Sequence, residues 1–412
     1  MNYFVFFLFI GCFVCLKQRK LSLFWVFLFF FVTFFLYKTF GEFFFSFERR
    51  FFVNYWLLMF CGVYFLFWFL SYLFFCKYHY LGIFFHSLLM TSFSLFKLTP
   101  PIHPFILLYP HLNKYLPCTN FPLLNCFLIF FISGVIFLGG KGMKKFVLIC
   151  LILSAMPLIN ILSASDKGGG YPLRVMVVQV GLYFDKGGNT NSFFYDMLTF
   201  INKNPNIELI VFSESSLLSF KTRFNEEFSQ SFISQINQYQ LTEKYHFLLG
   251  FSGYKDINNI VTVYKHKNKE IINQKSVLIP FIEKDGILNR KHPMYSDYFS
   301  IEEQILNDDI RINNVKIKTN ICYDALFPPL YRDDSYLTVI QSSYNQLNYG
   351  SGYNELISRG TLLAKFSVGM HSRYLINIQD HGGTFIFDEN WKVNEEIFNL
   401  SKDTPFFIID LH

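Results

Sequence analysis

The chain has 412 residues, 52% hydrophobic and 21% aromatic, with 56 Phe and a formal net charge of +6. Its basic residues are scattered, with no run longer than the short Lys17–Lys20 cluster, so the charge pattern gives no nucleic-acid-binding surface. The length allows two domains, and composition divides the chain accordingly: Phe, Leu, Ile and Val dominate residues 1–165, while Asn, Lys, Asp, Ser and Glu are spread through everything from Asp166 onward.

Within the first part, apolar stretches occur near 2–16, 21–40, 51–76, 81–96, 121–139 and 145–163. A helix of about 20 apolar residues crosses the hydrocarbon layer, so the pattern predicts a bundle of about six transmembrane helices over residues 1–165. Five prolines between Thr99 and Asn120 interrupt it, and that segment reads as a loop at the membrane surface or a re-entrant segment. With six spans, the Lys17–Lys20 and Lys141–Lys145 loops share one face. The positive-inside tendency assigns them to the cytoplasm and the second domain to the opposite side of a bacterial inner membrane.

The second domain, residues 172–412, alternates strands with helices and then pairs strands as hairpins. Arg174–Val180 reads as a buried strand, bounded by Gly168–Gly170 and Gly181. Thr190–Lys203 is expected to be helical, Ile207–Phe212 a strand, Phe228–Gln240 a helix and Phe247–Phe251 a strand. Ile260–Lys265 and Glu270–Leu278 form a hairpin pair. Val315–Tyr323 and Leu337–Ser342 are strands, Leu356–Gly369 a helix, and Arg373–Asp380 and Thr384–Asp388 strands. The order predicts a layered α/β sandwich.

Seven of the eight cysteines lie before Asp166, leaving Cys322 as the one thiol of the second domain. It therefore has no partner for a disulfide within that domain, and no Cys/His spacing of a metal site accompanies it. Three segments carry chemistry: Phe212–Ser215 with Glu214, Lys275–Gly286 with Lys275 and Glu283, and Asn320–Pro329 with Cys322 and Asp324. A thiol is a nucleophile only as thiolate, a carboxylate can take its proton, and an ammonium can balance an oxyanion. His381 offers a rival base for Cys322. Taken singly, a strand-end Cys is a small buried hydrophobe and a Glu or Lys a solvated surface residue.

Together these segments resemble the nitrilase (carbon–nitrogen hydrolase) superfamily, and more closely its apolipoprotein N-acyltransferases. Separations of 61 residues (214 to 275) and 47 (275 to 322) follow the Glu–Lys–Cys order of that superfamily. The acyltransferase pattern K-x-x-L-V-P-F-G-E-Y is similar to Lys275-Ser-Val-Leu-Ile-Pro-Phe-Ile-Glu283, and I-C-Y-E to Ile321-Cys322-Tyr323-Asp324. The likeness runs from Arg174 to about residue 390. It implies a membrane domain followed by a four-layer α-β-β-α nitrilase-like sandwich. It also implies Glu214 as base, Lys275 as oxyanion partner and Cys322 as nucleophile. Glu283, Tyr323 and Asp324 would support them, with Pro280 and Phe281 shaping the loop. The implied partners are a phospholipid acyl donor and an apolipoprotein acceptor, with no cofactor or metal. The chain departs from the pattern at Asp324, at Ser342–Gln346, at Lys365 and Met370, and at Asp380–His381. Its last apolar run, near Phe406–Leu411, is too short for a further span. A membrane-tethered amidase, tied to a mobile-element or conjugation role, and a catalytically inert scaffold are the competing readings.

Overall fold

The computed structural model describes residues 80–138, 143–162, 171–279, 283, 299–300, 310–344 and 353–412, except 99, 102, 216, 314 and 331–333. The apolar stretches near 2–16, 21–40 and 51–76, the Lys17–Lys20 cluster, Gly168–Gly170, Pro280 and Phe281 lie outside the described residues. The chain divides into two compact units. One holds Met1–Asp166, Leu326–Asp333 and Gln346–Met370; the other holds Lys167–Ala325, Asp334–Asn345 and His371–His412.

In the first unit, the fourth, fifth and sixth apolar stretches form helices α1 (Tyr80–Leu95), α2 (Pro122–Leu138) and α3 (Met143–Leu162). Ile83 and Val135 pack between α1 and α2, with Ile149 and Ile152 of α3 against them. A Cβ on Gly134 would lie 2.5 Å from Ile83, so glycine lets these helices close. The proline-rich stretch turns through a short 3-10 helix, Pro104–Leu108, whose first turn is capped by His103 accepting from the Phe105 N–H at 3.1 Å. Asn160 of α3 ties this segment down, donating to Leu116 O at 2.8 Å and accepting from the Cys118 N–H at 2.9 Å. Leu81, Phe84, Phe85 and Leu88 of α1 and Leu158 and Ile161 of α3 remain exposed. Among the described residues no helix is long and apolar enough to cross a membrane.

The second unit contains two sheets. The six-stranded sheet runs β11-β1-β2-β3-β4-β5, with β1 Leu173–Val178, β2 Leu209–Ser215, β3 His246–Tyr254, β4 Ile257–His266, β5 Lys269–Gln274 and β11 Phe406–Leu411. The five-stranded sheet runs β10-β9-β8-β7-β6, with β6 Ile310–Ile312, β7 Val315–Ile321, β8 Leu337–Ser342, β9 Tyr374–Gln379 and β10 Phe385–Phe387. Successive side chains of a strand face opposite sides, and the two cores follow that rule. Val175, Val177, Leu209 and Val211 enter the core between the sheets with Ile317, Val339 and Ile376. Met176, Val178, Ile210 and Phe212 face the other way, onto Phe193, Phe194 and Phe232 of α5 (Thr190–Lys203) and α6 (Arg223–Gln238), α4 being the short helix Val180–Asp185.

Among the described residues of this unit, helices α5 and α6 cover one face of the six-stranded sheet and the five-stranded sheet covers the other. Helix α7 (Tyr353–Ser367) belongs to the first unit. There Phe366 meets the Tyr109 ring edge-on at 5.4 Å, and the Ser367 hydroxyl donates to Leu326 O at 2.8 Å. The apolar run Phe406–Leu411 is no remnant of a span. It pairs antiparallel with β1 over Leu173–Val178, an edge position its alternating burial fits.

Candidate active site

Three chain segments deliver the expected residues to one place, each by a local device. On β2 the register against β3 shifts between Val211 and Glu214, so that Glu214 lies beside Gly250. Such a shift re-aims the side chains beyond it. Gly250 leaves room for it: a Cβ there would lie 2.3 Å from Ser213 O. Glu214 is buried, and its Oε2 has no hydrogen-bond partner among the described residues.

Lys275 follows β5 directly. Its backbone N–H donates to Ile260 O at 2.9 Å, and the Asn259 amide donates to its carbonyl at 3.0 Å, which fixes the main chain. Its side chain is fully buried and donates to Glu283 Oε1 at 2.6 Å. The other oxygen, Oε2, accepts the Ile279 N–H at 2.8 Å. A buried ammonium needs a paired and hydrogen-bonded anion, and Glu283 supplies it.

Cys322 does not end a strand, as the apolar pattern suggested. β7 stops at Ile321, and Cys322 opens a 3-10 turn (Cys322–Leu326) with φ of +47°. A non-glycine residue pays steric energy for that conformation. The turn lifts the sulfur off the strand line. Asp324 in the same turn accepts the Ser276 hydroxyl at 2.5 Å and the Ser276 N–H at 3.4 Å. It thereby ties the cysteine turn to the residue after Lys275. Tyr323 is buried, and its phenol lies in the field of Glu283 and Lys275.

The charges act on one another. Burial, opposed by Lys275 and by a hydrogen bond with the Cys322 thiol and aided by Glu283 and Asp380, brings the Glu214 carboxyl up to about 7. Burial also pushes the Cys322 thiol up, partly offset by Lys275, with Glu214 and Glu283 adding to the rise. Burial disfavours the Lys275 ammonium, yet Glu283, then Glu214, hold it firmly protonated. A thiol that keeps its proton, beside a carboxylate that titrates near neutrality, forms an acid–base pair. Lys275 is a permanent cation next to both. Among the described residues no cluster of three or more His, Cys, Asp or Glu side chains could hold a metal ion.

His381 is not the base of Cys322. Its Nδ1 lies 2.6 Å from Asp185 Oδ2 and its Nε2 3.5 Å from Asp380 Oδ2. Three further groups escaped the sequence reading. The Ser343 backbone makes a hydrogen bond that lowers the Cys322 pKa, the buried Tyr344 lies in the field of Cys322 and Glu214, and Asp380 adds its charge to Glu214. The sequence marked them only as departures from the acyltransferase pattern, at positions that fall just after strands β8 and β9, where the parallel strands of this sheet end. Lys365 and Met370 both lie in the first unit, where Asn125 donates to the Met370 sulfur at 3.1 Å.

No family model and no curated protein matches the chain. Solved structures similar to it include a branch 10 member of the nitrilase superfamily from Saccharomyces cerevisiae. That protein is 17% identical with a TM-score of 0.37, over 56% of this chain and 87% of that one. A carbon–nitrogen hydrolase from Helicobacter pylori is 13% identical with a TM-score of 0.36, over 54% of this chain and 84% of that one.

Proposed function

We propose that the protein is a membrane-bound N-acyltransferase of the carbon–nitrogen hydrolase superfamily. It moves a fatty acyl chain from a phospholipid through a Cys322 thioester to the N-terminal amine of an apolipoprotein. The observation that carries the chemistry is the meeting of Glu214, Lys275, Glu283 and Cys322, with the thiol on a left-handed turn. The lipid assignment draws on the apolar first part and on the exposed Leu and Phe side chains of α1. In this reading residues 1–165 span a bacterial inner membrane and the sandwich lies on its outer side.

Glu214 takes the Cys322 proton as the sulfur attacks the ester carbonyl. The tetrahedral oxyanion forms beside the Lys275 ammonium. As the C–O bond breaks, Glu214 returns the proton to the departing alkoxide, and lysophospholipid leaves. The acceptor amine then attacks the thioester, gives a proton to Glu214, and expels the thiolate, which recovers that proton. Glu283 keeps Lys275 charged and in place throughout. Glu283, Tyr323 and Asp324 are positioning residues.

Intact-mass spectrometry of purified protein incubated with phospholipid tests this. A fatty acyl adduct on Cys322 is expected, and its transfer to a lipid-modified N-terminal peptide should follow. A reactive Cys322 that takes no acyl group would move the assignment to a C–N hydrolase acting on a small amide.

A further inference from the structure

A second polar chain starts at the surface and ends next to Glu214. Asp185, at the end of α4, meets His381 Nδ1 at 2.6 Å, and His381 Nε2 faces Asp380 Oδ2 at 3.5 Å. Asp380 is buried, just beyond β9. Its Oδ1 accepts the Ser213 hydroxyl at 2.6 Å and the Gly181 N–H at 2.9 Å. The Ser213 oxygen in turn accepts the Val180 N–H at 3.3 Å. Ser213 precedes Glu214 in β2, at the register shift. Asp380, just beyond β9, therefore ties the first turn of α4 to β2 at Ser213, the residue before Glu214. A Cβ on Gly181 would come within 2.7 Å of both Asp380 and His381, so the clamp leaves no space for a side chain there.

We propose that Asp380 is a positioning residue for Glu214: it holds the end of β2 through the Ser213 hydroxyl and sets the field on the Glu214 carboxylate, while His381, itself held by Asp185, opposes the Asp380 charge. The proposal rests on the Glu214–Cys322 reading above. The groups facing Glu214 are Lys275, Glu283, Asp380 and Cys322; those facing Asp380 are Ser213, His381, Gly181 and Asp185. Removing the negative charge of Asp380 makes Glu214 easier to ionise, because a like charge disfavours the ionised form. Removing the hydroxyl bridge leaves the charge but frees the strand end.

The test is the rate of Cys322 alkylation by iodoacetamide against pH, on the full chain, with thermal melting as the check on folding. Asp380→Asn should move the acid limb of the profile down by about half a pH unit or more. Ser213→Ala should leave the limb unlowered and reduce the plateau by about threefold to tenfold. Asp380→Ala should do both. A clamp with a purely structural role lowers the melting temperature without moving the limb, and that result overturns the proposal. A wild-type profile that Glu214→Gln leaves untouched overturns the Glu214–Cys322 reading and this one with it. A Glu214-dependent limb that Asp380→Asn does not move overturns this one alone.

Discussion

Lys275 with Glu283, and Glu214 with Cys322, form the two sides of the site, and all four residues are buried. On the first side, both Glu283 oxygens are engaged, one by the ammonium at 2.6 Å and one by a backbone N–H at 2.8 Å. On the second, one Glu214 oxygen has no partner among the described residues, the thiol keeps its proton, and the backbone sits at φ of +47°. One side is satisfied and the other poised. An unmet acceptor and a strained backbone both cost stability, so they persist where surrounding structure enforces them, as at sites of reaction. Substitution on the satisfied side should therefore cost folding energy as well as rate. Substitution on the poised side should cost rate alone.

The largest effect belongs to Cys322. Cys322→Ala and Cys322→Ser should abolish the acyl adduct in intact-mass spectra while the protein melts within a few degrees of wild type. An undiminished adduct in either variant would end the thioester mechanism. Next comes Lys275→Ala, which should slow adduct formation by about 10²–10³-fold, the usual loss for one oxyanion partner. It should also destabilise the fold by about 3–5 kcal/mol, because it strands the buried Glu283 carboxylate. Chemical denaturation measures this second cost. The double variant Lys275→Met with Glu283→Gln should regain much of the stability and none of the activity. A Lys275→Ala protein of wild-type stability would erase the distinction between the two sides.

Glu214→Gln should slow adduct formation by about 10²–10⁴-fold, the range for a general base, with little loss of stability. The pH profile sharpens the point. Glu214 must be ionised to accept the thiol proton, and burial places its titration at about 7. The rate of adduct formation should therefore fall as pH drops through that value, approaching tenfold per unit below it. In Glu214→Gln that limb should vanish. A wild-type rate independent of pH between 5 and 8 would assign the proton to another group.

Local pattern told most of the fold. The helix Thr190–Lys203 is readable to the residue, because Asn189 caps it by accepting the Asn191 and Ser192 N–H groups and its apolar positions repeat at helical spacing. What failed was non-local. Phe406–Leu411 has six residues and an apolar look, and its identity as a strand depends on β1, more than 200 residues earlier in the chain. The end of β7 was misplaced by two residues because Val, Ile and Thr favour strands, whereas nothing in the residue types announces a left-handed cysteine. Glu214, Lys275, Glu283 and Cys322 were legible through their motifs, since no periodicity links them. Asp380 was visible only as a departure from an expected pattern, and its contact with Ser213 spans 167 residues.

Asp324 is the smallest test of the comparison and the most specific, because it joins the two sides. Its carboxylate accepts both the hydroxyl and the N–H of Ser276, next to Lys275, from within the turn that carries Cys322. Asp324→Asn keeps one acceptor oxygen and replaces the other with a donor that faces the Ser276 N–H. The weaker contact, at 3.4 Å, is the one lost, worth about 1 kcal/mol. Neither Glu214 nor Lys275 loses a neighbour, so the acid limb of the pH profile should stay in place. The adduct rate should fall by about fivefold to tenfold, the equivalent of that energy, as the thiol and the ammonium lose their fixed spacing. A glutamate, one methylene longer, would push the turn away from Ser276, so Asp324→Glu should be worse than Asp324→Asn. The reverse order would mean that the charge at this position, and not its reach, holds the two sides together.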